Sequence, residues 1–267
     1  MDKIDLSIII VNYNTSNLVY DCLKSIKKHL DLNYEVIVVD SSPEGDLKIK
    51  DEELKKINLA TYYLLLTTNN GFGAANNLGV KNATSKYLLL LNPDTLIVDD
   101  SIQKMYSFIS KHNEIGALSC LLYNDIECKK MQKNFFGKFQ SLGGLTIRRY
   151  NYQKIDHSKK FFYTDIVTGA DLMIKKETFD QIGGFDEKIF MYLEDDDLCK
   201  RIVELGYKNA VLNTAKIIHL ESQSTNNKTR KKYYYKSQDY YWHKHNGIFA
   251  TTLMRIIRWP IKLFKGK

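Results

Sequence analysis

The sequence predicts an α/β protein with a doubly wound, mostly parallel sheet flanked by helices, followed by a basic helical extension. Short apolar runs alternate with segments of helical periodicity through the first half of the chain. The runs are mostly apolar on consecutive positions rather than alternating, as expected for strands that are buried on both faces. The intervening segments can serve as the crossovers that parallel strands require.

Four strands are predicted in the first 91 residues, and each is followed by polar residues at its end. The strands are 6–11 before Asn12-Tyr13-Asn14, 34–39 before Asp40, 60–66 before Asn69-Asn70, and 88–91 before Asn92-Pro93-Asp94. Pro93 cannot continue a hydrogen-bonded ladder, so Asp94 lies on the loop beyond a central strand. Because parallel strands end at one edge, these polar residues predict a ligand groove there.

Helical periodicity and turn residues predict the remaining elements. Helices are expected over a segment that begins near Thr15 or Ser16, and over 46–57, 74–82, 101–111, 176–182 and 198–205. Further strands are expected at 116–122, 161–173, 210–212 and 216–219, whereas 123–160 lacks clear periodicity. These assignments place 123–160 as an irregular excursion over the sheet.

The composition fits a globular protein with a large core. The 267 residues are 44% hydrophobic and 26% charged, and no apolar run approaches the roughly 20 residues of a membrane span. The N-terminus has no basic segment followed by an apolar signal core. Four widely spaced cysteines favour free thiols, so we expect a cytoplasmic protein.

The net charge of +8 is unevenly distributed. From Lys228 to Lys267 there are 11 Lys and Arg residues and one acid, Asp239, which gives +10 and leaves −2 for the rest. A near-neutral globule therefore carries a strongly basic tail.

Four consecutive carboxylates, Glu194 to Asp197, stand at the start of a predicted helix. Helix capping and the helix dipole account for one or two acids at this position, but not for four. Crowded carboxylates raise one another's pKa, which makes a general base plausible. His219 ends the last predicted strand and, with Asp94, is a candidate ligand of Mg²⁺ or Mn²⁺.

Three other classes of protein could contain a sheet or a basic tail of this kind. The Gly71-Phe72-Gly73 segment follows the third strand and lacks a third glycine, which disfavours a dinucleotide-binding dehydrogenase. A nucleotidyltransferase remains an alternative, although it usually has a basic glycine-rich loop after the first strand. A non-catalytic nucleic-acid-binding protein would explain the basic tail, but the chain has no nucleic-acid motif and we expect no nucleic-acid partner.

Five motifs together resemble one family. They are Ile9 to Asn14, Val38 to Ser42, Asn69 to Gly73, Leu91 to Asp94, and Glu194 to Arg201. In this order they are similar to the GT-A-fold glycosyltransferases of family 2, and within it to the bacterial rhamnosyltransferase-like branch. The resemblance covers about 6–224. It implies a catalytic domain at 1–225, with a nucleotide-sugar half at 1–122 and an acceptor half at 123–225, and a tail at 226–267.

The resemblance also implies roles for individual residues. Donor-binding positions are Asn12, Tyr13, Asp40, Asn70, Gly71, Asn77, Asn92 and Asp94; acceptor-binding positions are Gly169, Ala170 and Glu194; metal ligands are Asp94 and His219; the catalytic base is Asp195. Asn92 stands where many members have Asp, which removes one metal carboxylate. Pro43-Glu44-Gly45 and Leu220-Glu221 also depart from the family pattern.

The function implied is an inverting, metal-dependent transfer of a sugar from a nucleotide-diphosphate donor. dTDP-rhamnose is the favoured donor and a UDP-hexose the alternative. The acceptor is a hydroxyl of a growing cell-surface glycan or of a lipid-linked glycan, and Mg²⁺ or Mn²⁺ is the expected cofactor.

The tail predicts an apolar helical stripe among basic residues, broken or kinked at Pro260. The stripe consists of Ile248, Phe249, Leu253, Ile256, Ile257, Ile261 and Phe264. Such a helix could pack on the catalytic domain or on a second copy in a homodimer. Aromatic residues and cations on one helix favour instead an anionic membrane surface, which places the enzyme peripherally at the inner face of the cell membrane.

Overall fold

A computed structural model describes residues 3–42, 61–133, 135–146, 155, 157–221 and 227–264. Eleven strands lie within these ranges. They are β1 Leu6–Asn12, β2 Tyr34–Asp40, β3 Thr61–Leu65, β4 Tyr87–Leu91, β5 Thr95–Leu96, β6 Ile115–Tyr123, β7 Phe136–Gly137, β8 Phe161–Thr164, β9 Ile166–Val167, β10 Asp171–Lys175 and β11 Lys208–His219.

Nine of these strands form one mixed sheet in the order β3-β2-β1-β4-β10-β6-β11-β5, with β8 paired to β11. The first four predicted strands pair in parallel, which confirms the crossovers inferred from the sequence. Strand β10 runs antiparallel to both of its neighbours, so the sheet is mostly but not wholly parallel. The apolar runs of β1 and β4 are buried along their length, as their composition predicts.

Seven helices accompany the sheet in the described ranges. They are α1 Ser16–His29, α2 Phe72–Lys81, α3 Ser101–Ile109, α4 Leu142–Thr146, α5 Lys176–Gln181, α6 Glu194–Glu204 and α7 Asn227–Phe264. The predicted helix at 46–57 lies outside the described residues. Thr15 precedes α1 but does not cap it, because its hydroxyl instead donates to Asn12 Oδ1 at 2.9 Å.

Two predicted strands, 210–212 and 216–219, form one strand, β11. The pairing of β11 with β6 is parallel and its register shifts between Leu212 and Lys216. The backbone N–H of Asn213 donates to the carbonyl of Lys160 at 2.8 Å, which continues the pairing of β11 with β8 while the register with β6 shifts. The polar interruption in the sequence is therefore a bulge within a strand rather than the end of one.

The tail departs from its predicted form, because the non-helical residue in α7 is Gly247 and not Pro260. Arg258 donates to Asp239 at 2.7 Å, and Arg255 lies 3.1 Å from the same carboxylate. In a straight helix, positions 239 and 255 would be about 24 Å apart. Segments 227–246 and 248–264 therefore fold back on each other as a hairpin around Gly247.

The first segment of this hairpin packs on the α/β domain. Leu193, Tyr241, Trp242 and Met254 form a buried cluster that joins the domain to both segments. Lys244 lies 2.7 Å from Asp186 on the loop that precedes α6. None of the described helices is both long and apolar enough to cross a membrane.

Asp197 on α6 is the electrostatic anchor of the hairpin. Its fully buried carboxylate lies 2.7 Å from each of Arg201, Lys244 and His245. Burial alone would raise the pKa of Asp197, but the hydrogen bond from His245 and the charges of Arg201 and Lys244 lower it to about 2. One of the four consecutive acids therefore holds the tail.

We expect this anchor to contribute stability that depends on pH. The pKa of Asp197 falls from 3.8 to about 2 on folding, which corresponds to about 2 kcal/mol. Because the folded-state pKa is depressed, this contribution is present above pH 4 and is lost as the pH falls toward 2. Denaturant unfolding of wild type and Asp197→Asn across this range will measure it.

Asp31→Asn is the matched control, because Asp31 is exposed. Asp197→Asn should be less stable than wild type at pH 7 and should lose less of its remaining stability between pH 4 and pH 2. Equal acid dependence in wild type and Asp197→Asn would contradict the assignment, whereas Asp31→Asn should follow wild type.

Candidate functional site

The carboxyl ends of β1 and β2 meet through a side-chain hydrogen bond. Asn12 Nδ2 donates to Asp40 Oδ2 at 2.8 Å, and both side chains are fully buried. Tyr63 donates its hydroxyl to the same oxygen at 2.6 Å, while the backbone N–H of Ser42 donates to Asp40 Oδ1 at 2.8 Å. This network fixes Asp40 at the sheet edge. Neither Tyr63 nor Ser42 was among the predicted site residues.

Three other predicted donor positions lie on loops at the same edge. Tyr13 follows β1 and is partly exposed, and Asn70 is exposed before α2. Gly71 begins the following helix with φ +101, and a Cβ there would lie 2.2 Å from the carbonyl oxygen of Phe190. Only glycine permits this close approach between the α2 loop and the loop that precedes α6.

Asn77 on α2 holds the loop between α5 and α6. Its Nδ2 donates to the carbonyl of Phe185 at 3.0 Å and to Glu187 at 2.9 Å, and its Oδ1 accepts the N–H of Phe185 at 2.9 Å. The side-chain amide is thus engaged by a neighbouring loop. Its geometry indicates that Asn77 shapes the groove by anchoring this loop.

The short strand β5 brings Asp94 and His219 together. Thr95 pairs with His219 in an antiparallel ladder, and the N–H of Leu220 donates to the carbonyl of Asp94 at 3.0 Å. His219 Nε2 lies 3.2 Å from Asp94 Oδ1 and 3.4 Å from Asn92 Nδ2. Residues separated by more than a hundred positions in the sequence therefore present their polar atoms to one another.

This pair has the chemistry of a divalent-cation site. A carboxylate oxygen and an imidazole nitrogen 3.2 Å apart could be adjacent ligands of one ion at bond lengths of about 2.1 Å. Both side chains are mostly buried, with exposed fractions of 11%. Within the described ranges, no group of three or more His, Cys, Asp or Glu residues is arranged to hold a metal. A bound ion would therefore need further oxygen ligands from a substrate or from water.

The carboxylate of Asp195 is linked to the Asp94 loop by hydrogen bonds through the dipeptide Gly169-Ala170. The N–H of Gly169 donates to Asp195 Oδ2 at 3.2 Å, and the carbonyl of Ala170 accepts the N–H of Asn92 at 2.9 Å. The N–H of Asp196 donates to Asp195 Oδ1 at 3.0 Å. Asp195 is thus held by two backbone donors, and a continuous backbone link runs from it to the Asp94 loop.

Asp171, the residue after the Gly169-Ala170 dipeptide, fixes the position of that dipeptide by hydrogen bonds to β6. Its buried carboxylate accepts hydrogen bonds from Ser119 Oγ at 2.6 Å and from the N–H of Cys120 at 2.8 Å, both on β6. Burial raises the pKa of Asp171 to about 6, although these hydrogen bonds oppose the shift. Asp171 follows Ala170 directly and fixes the start of β10 against β6. The sequence analysis did not identify it.

The four consecutive carboxyl groups, Glu194 to Asp197, lie in different environments and have different pKa shifts. Burial raises the pKa of Asp195, and its backbone donors oppose part of that shift. Burial and the charge of Asp195 raise the pKa of both Glu194 and Asp196 well above their ordinary values. Glu194 is 8% exposed, and its Oε2 has no hydrogen-bond partner in the described structure. Three of the carboxyls therefore have raised pKa values and are candidates for proton exchange with a ligand, whereas Asp197 is held as a paired anion.

The backbone is strained immediately before helix α6, which carries Glu194 to Asp197 in its first turn. Tyr192 and Leu193 both have φ of 67°, a left-handed conformation that is uncommon for side chains of this size. The tail supports it: Arg230 donates to the Tyr192 hydroxyl at 3.1 Å, Ser237 donates to the carbonyl of Met191 at 2.7 Å, and Leu193 is buried in the tail cluster. Packing of the tail thus sets where α6 begins.

Comparison with known families identifies the type of domain. Residues 7–183 match the model of the family described as "Glycosyl transferase family 2". The chain is 26% identical over 208 residues to the low-salt glycan biosynthesis hexosyltransferase Agl10 of Haloferax volcanii, covering 74% of this chain and 61% of that protein. It is also 26% identical over 217 residues to rhamnosyltransferase WbbL of Escherichia coli, covering 75% and 78%.

A third relative is the N-acetylglucosaminyl-diphospho-decaprenol L-rhamnosyltransferase of Mycobacterium tuberculosis, 25% identical over 150 residues, which are 52% of this chain and 48% of that enzyme. Two of these three relatives are named rhamnosyltransferases, which confirms the predicted likeness to that branch. The chain spans less than two thirds of the length of the hexosyltransferase and of the mycobacterial enzyme.

Solved structures confirm the GT-A fold that the sequence predicted. GalNAc-T7 with UDP, GalNAc and Mn²⁺ superposes with a TM-score of 0.65 at 17% identity, over 90% of this chain and 50% of that one. The mannosyltransferase PcManGT from Pyrobaculum calidifontis, in complex with GDP-Man and Mn²⁺, gives a TM-score of 0.59 at 16% identity, over 96% and 74%.

Proposed function

The chain belongs to glycosyl transferase family 2, and we propose that it is an inverting, divalent-cation-dependent glycosyltransferase that uses a nucleotide-diphosphate sugar. The observation that carries this proposal is the juxtaposition of Asp94 and His219 at 3.2 Å. The loop that carries Asn92 and Asp94 is hydrogen-bonded to the carbonyl of Ala170, and the N–H of the adjacent Gly169 donates to Asp195.

We propose that different residues along the groove bind the donor and the acceptor. Asn12, Tyr13 and Asp40 bind the base and ribose of the donor, while Asn70, Gly71 and Asn77 shape the loop that covers it. Asn92 and Asp94 lie beside the diphosphate. Gly169, Ala170 and Glu194 face the acceptor. In this arrangement 1–122 contributes the donor half and 123–225 contributes the acceptor half.

Asp94 and His219 would hold Mg²⁺ or Mn²⁺ with the donor diphosphate. When bound, the ion neutralises charge on the leaving diphosphate. Solved neighbours of this fold contain Mn²⁺ with a nucleotide or nucleotide sugar, which supports a divalent ion here. The carboxylate–imidazole pair supplies one anionic and one neutral ligand, so most of the charge balance comes from the diphosphate.

Asp195 is the proposed general base. The two backbone N–H donors orient its carboxylate, which accepts the proton of the acceptor hydroxyl as that oxygen bonds to the anomeric carbon. The bond from the anomeric carbon to the diphosphate oxygen breaks in the same displacement, and the electron pair leaves with the diphosphate. A single displacement inverts the anomeric configuration.

dTDP-rhamnose is the proposed donor, with a UDP-hexose as the alternative. The names of two relatives, which are rhamnosyltransferases, support the first, and the hexosyltransferase supports the second. The acceptor we propose is a hydroxyl of a growing cell-surface glycan or of a lipid-linked glycan. The name of the mycobacterial relative includes a diphospho-decaprenol acceptor, which supports the lipid-linked form.

The tail hairpin is the proposed site of peripheral binding to the inner face of the cell membrane. Its second segment buries Met254 and Arg258 against the first, while Phe249, Ile256 and Trp259 point outward with exposed fractions of 84%, 63% and 65%. Aromatic and aliphatic side chains on the outer face of a tail that is basic as a whole suit an anionic lipid surface. Such binding would bring Asp195 near a lipid-linked acceptor.

Asp195→Asn should abolish transfer and retain donor binding. An amide cannot accept the acceptor proton, yet it differs little in size, so the rate should fall by about 10²–10⁴-fold. The donor is chosen by thermal-shift screening of dTDP- and UDP-sugars with Mn²⁺, and the rate is then measured as nucleoside diphosphate release.

Asp196→Asn is the matched control and should retain more than a tenth of the wild-type rate.

The rate should also depend on pH. Because burial raises the pKa of Asp195 and the base acts when deprotonated, the wild-type rate should fall on acidification at a higher pH than an ordinary Asp would give. If Asp195→Asn kept more than a tenth of the wild-type rate, the base would have to be Asp196 or Glu194, whose pKa values are also raised.

The membrane proposal predicts that the wild-type protein floats with anionic vesicles and does so less at high salt. The double variant Phe249→Glu with Ile256→Glu should remain in the dense fraction, because both changes place charge on the outward face. These substitutions are preferable to truncation after 246, which would also remove the buried Met254 and Arg258.

Ile126→Glu is the control, since Ile126 is an exposed isoleucine outside the tail, and this variant should float as wild type does. Flotation of the double variant to the same extent as wild type would refute the membrane surface. A wild-type dimer that the double variant dissociates, without flotation of either protein, would assign the face to a second copy of the chain.

A further inference from the structure

Both ring nitrogens of His219 have a partner. Nε2 lies 3.2 Å from Asp94 Oδ1 and 3.4 Å from Asn92 Nδ2, and Nδ1 lies 2.9 Å from Oε1 of Gln132. A neutral imidazole carries its proton on one nitrogen only, and the other nitrogen is then an acceptor or a metal ligand. The partner of Nδ1 therefore decides what Nε2 presents to Asp94.

Glu221 fixes the orientation of the Gln132 amide. Gln132 Nε2 donates to Glu221 Oε1 at 2.8 Å. Because a carboxylate accepts but does not donate, the nitrogen end of the amide must face Glu221 and the oxygen end must face the imidazole. An amide oxygen requires a donor, so Nδ1 carries a proton, and in the neutral ring the lone pair of Nε2 then points toward Asp94.

The backbone places Gln132 for this contact. Its N–H donates to the carbonyl of Leu122 at 2.8 Å, and the preceding residue forms an antiparallel bridge with Tyr123. Tyr123 ends β6 and is paired with Ile218 of β11, the neighbour of His219. A side chain from the segment that lacked periodicity is thus held beside the end of β11 by sheet hydrogen bonds.

We propose that Gln132 is a positioning residue that holds His219 in the Nδ1–H tautomer, with Glu221 orienting its amide. This inference rests on the proposed function, in which His219 and Asp94 receive a divalent ion. Without Gln132, the imidazole would adopt the Nε2–H tautomer and donate to Asp94, which would withdraw both atoms from an ion. Partners of this kind commonly change metal affinity by about 10- to 100-fold.

The direct test is the tautomer of His219 in metal-free, full-length protein. Long-range ¹H–¹⁵N correlation spectra distinguish a protonated Nδ1 from a protonated Nε2, and His219→Gln assigns the signal among the six histidines. Wild type should show Nδ1–H at His219, and Gln132→Ala should show Nε2–H. Binding of Mn²⁺ in the presence of dTDP, followed by the EPR signal of free Mn²⁺, should weaken by about 10- to 100-fold in Gln132→Ala.

Two further variants separate positioning from folding. Gln132→Glu combined with Glu221→Gln exchanges acceptor and donor, so it should retain the Nδ1–H tautomer and Mn²⁺ affinity within a few-fold of wild type. Lys133→Ala changes an exposed neighbour and should leave both measurements unchanged.

The outcomes are distinguishable. Nε2–H in the wild-type protein, or an unchanged tautomer in Gln132→Ala, would overturn the inference. Nδ1–H that is lost in Gln132→Ala, together with wild-type protein that binds no Mn²⁺ with dTDP, would uphold the positioning and overturn the metal site of the proposed function.

Discussion

The candidate site depends on the pairing of two residues of β5 with the end of β11. Thr95 opposite His219, together with the Leu220 hydrogen bond to Asp94, sets a carboxylate against an imidazole. Strand β4 delivers the Asp94 loop at the centre of the sheet, and β11 enters from the far side of β10 and β6. The function proposed for the chain therefore depends on a long-range backbone contact.

Much of the sheet edge at the ends of β1, β2 and β4 could be predicted because its signals are local. Strands buried on both faces appear as continuous apolar runs, and parallel strands place their terminal polar residues on one edge. This reasoning located Asn12, Asp40 and Asp94 correctly at that edge. It could not show that Asn12 and Asp40 bond to each other, or that Tyr63 supports them, because such contacts depend on the register between strands.

The region around α6 and the tail was less predictable because its geometry comes from tertiary packing. The left-handed Tyr192 and Leu193 have no sequence signal, and the tail that supports them was expected to bend at Pro260 rather than reverse at Gly247. The four acids read alike in sequence, yet His245 and Lys244 from the hairpin make Asp197 a structural anion. Gln132 lies in a segment without periodicity, so only the structure connects it with His219.

The central claim is that Asp94 and His219 hold one divalent ion beside the donor diphosphate. Crystals grown with Mn²⁺ and dTDP, measured at the manganese absorption edge, test it most directly. The account predicts one anomalous peak within about 2.3 Å of both Asp94 Oδ1 and His219 Nε2, with diphosphate oxygens completing the coordination. Bound dTDP with no manganese peak at this pair, or a peak held by other residues, would contradict it.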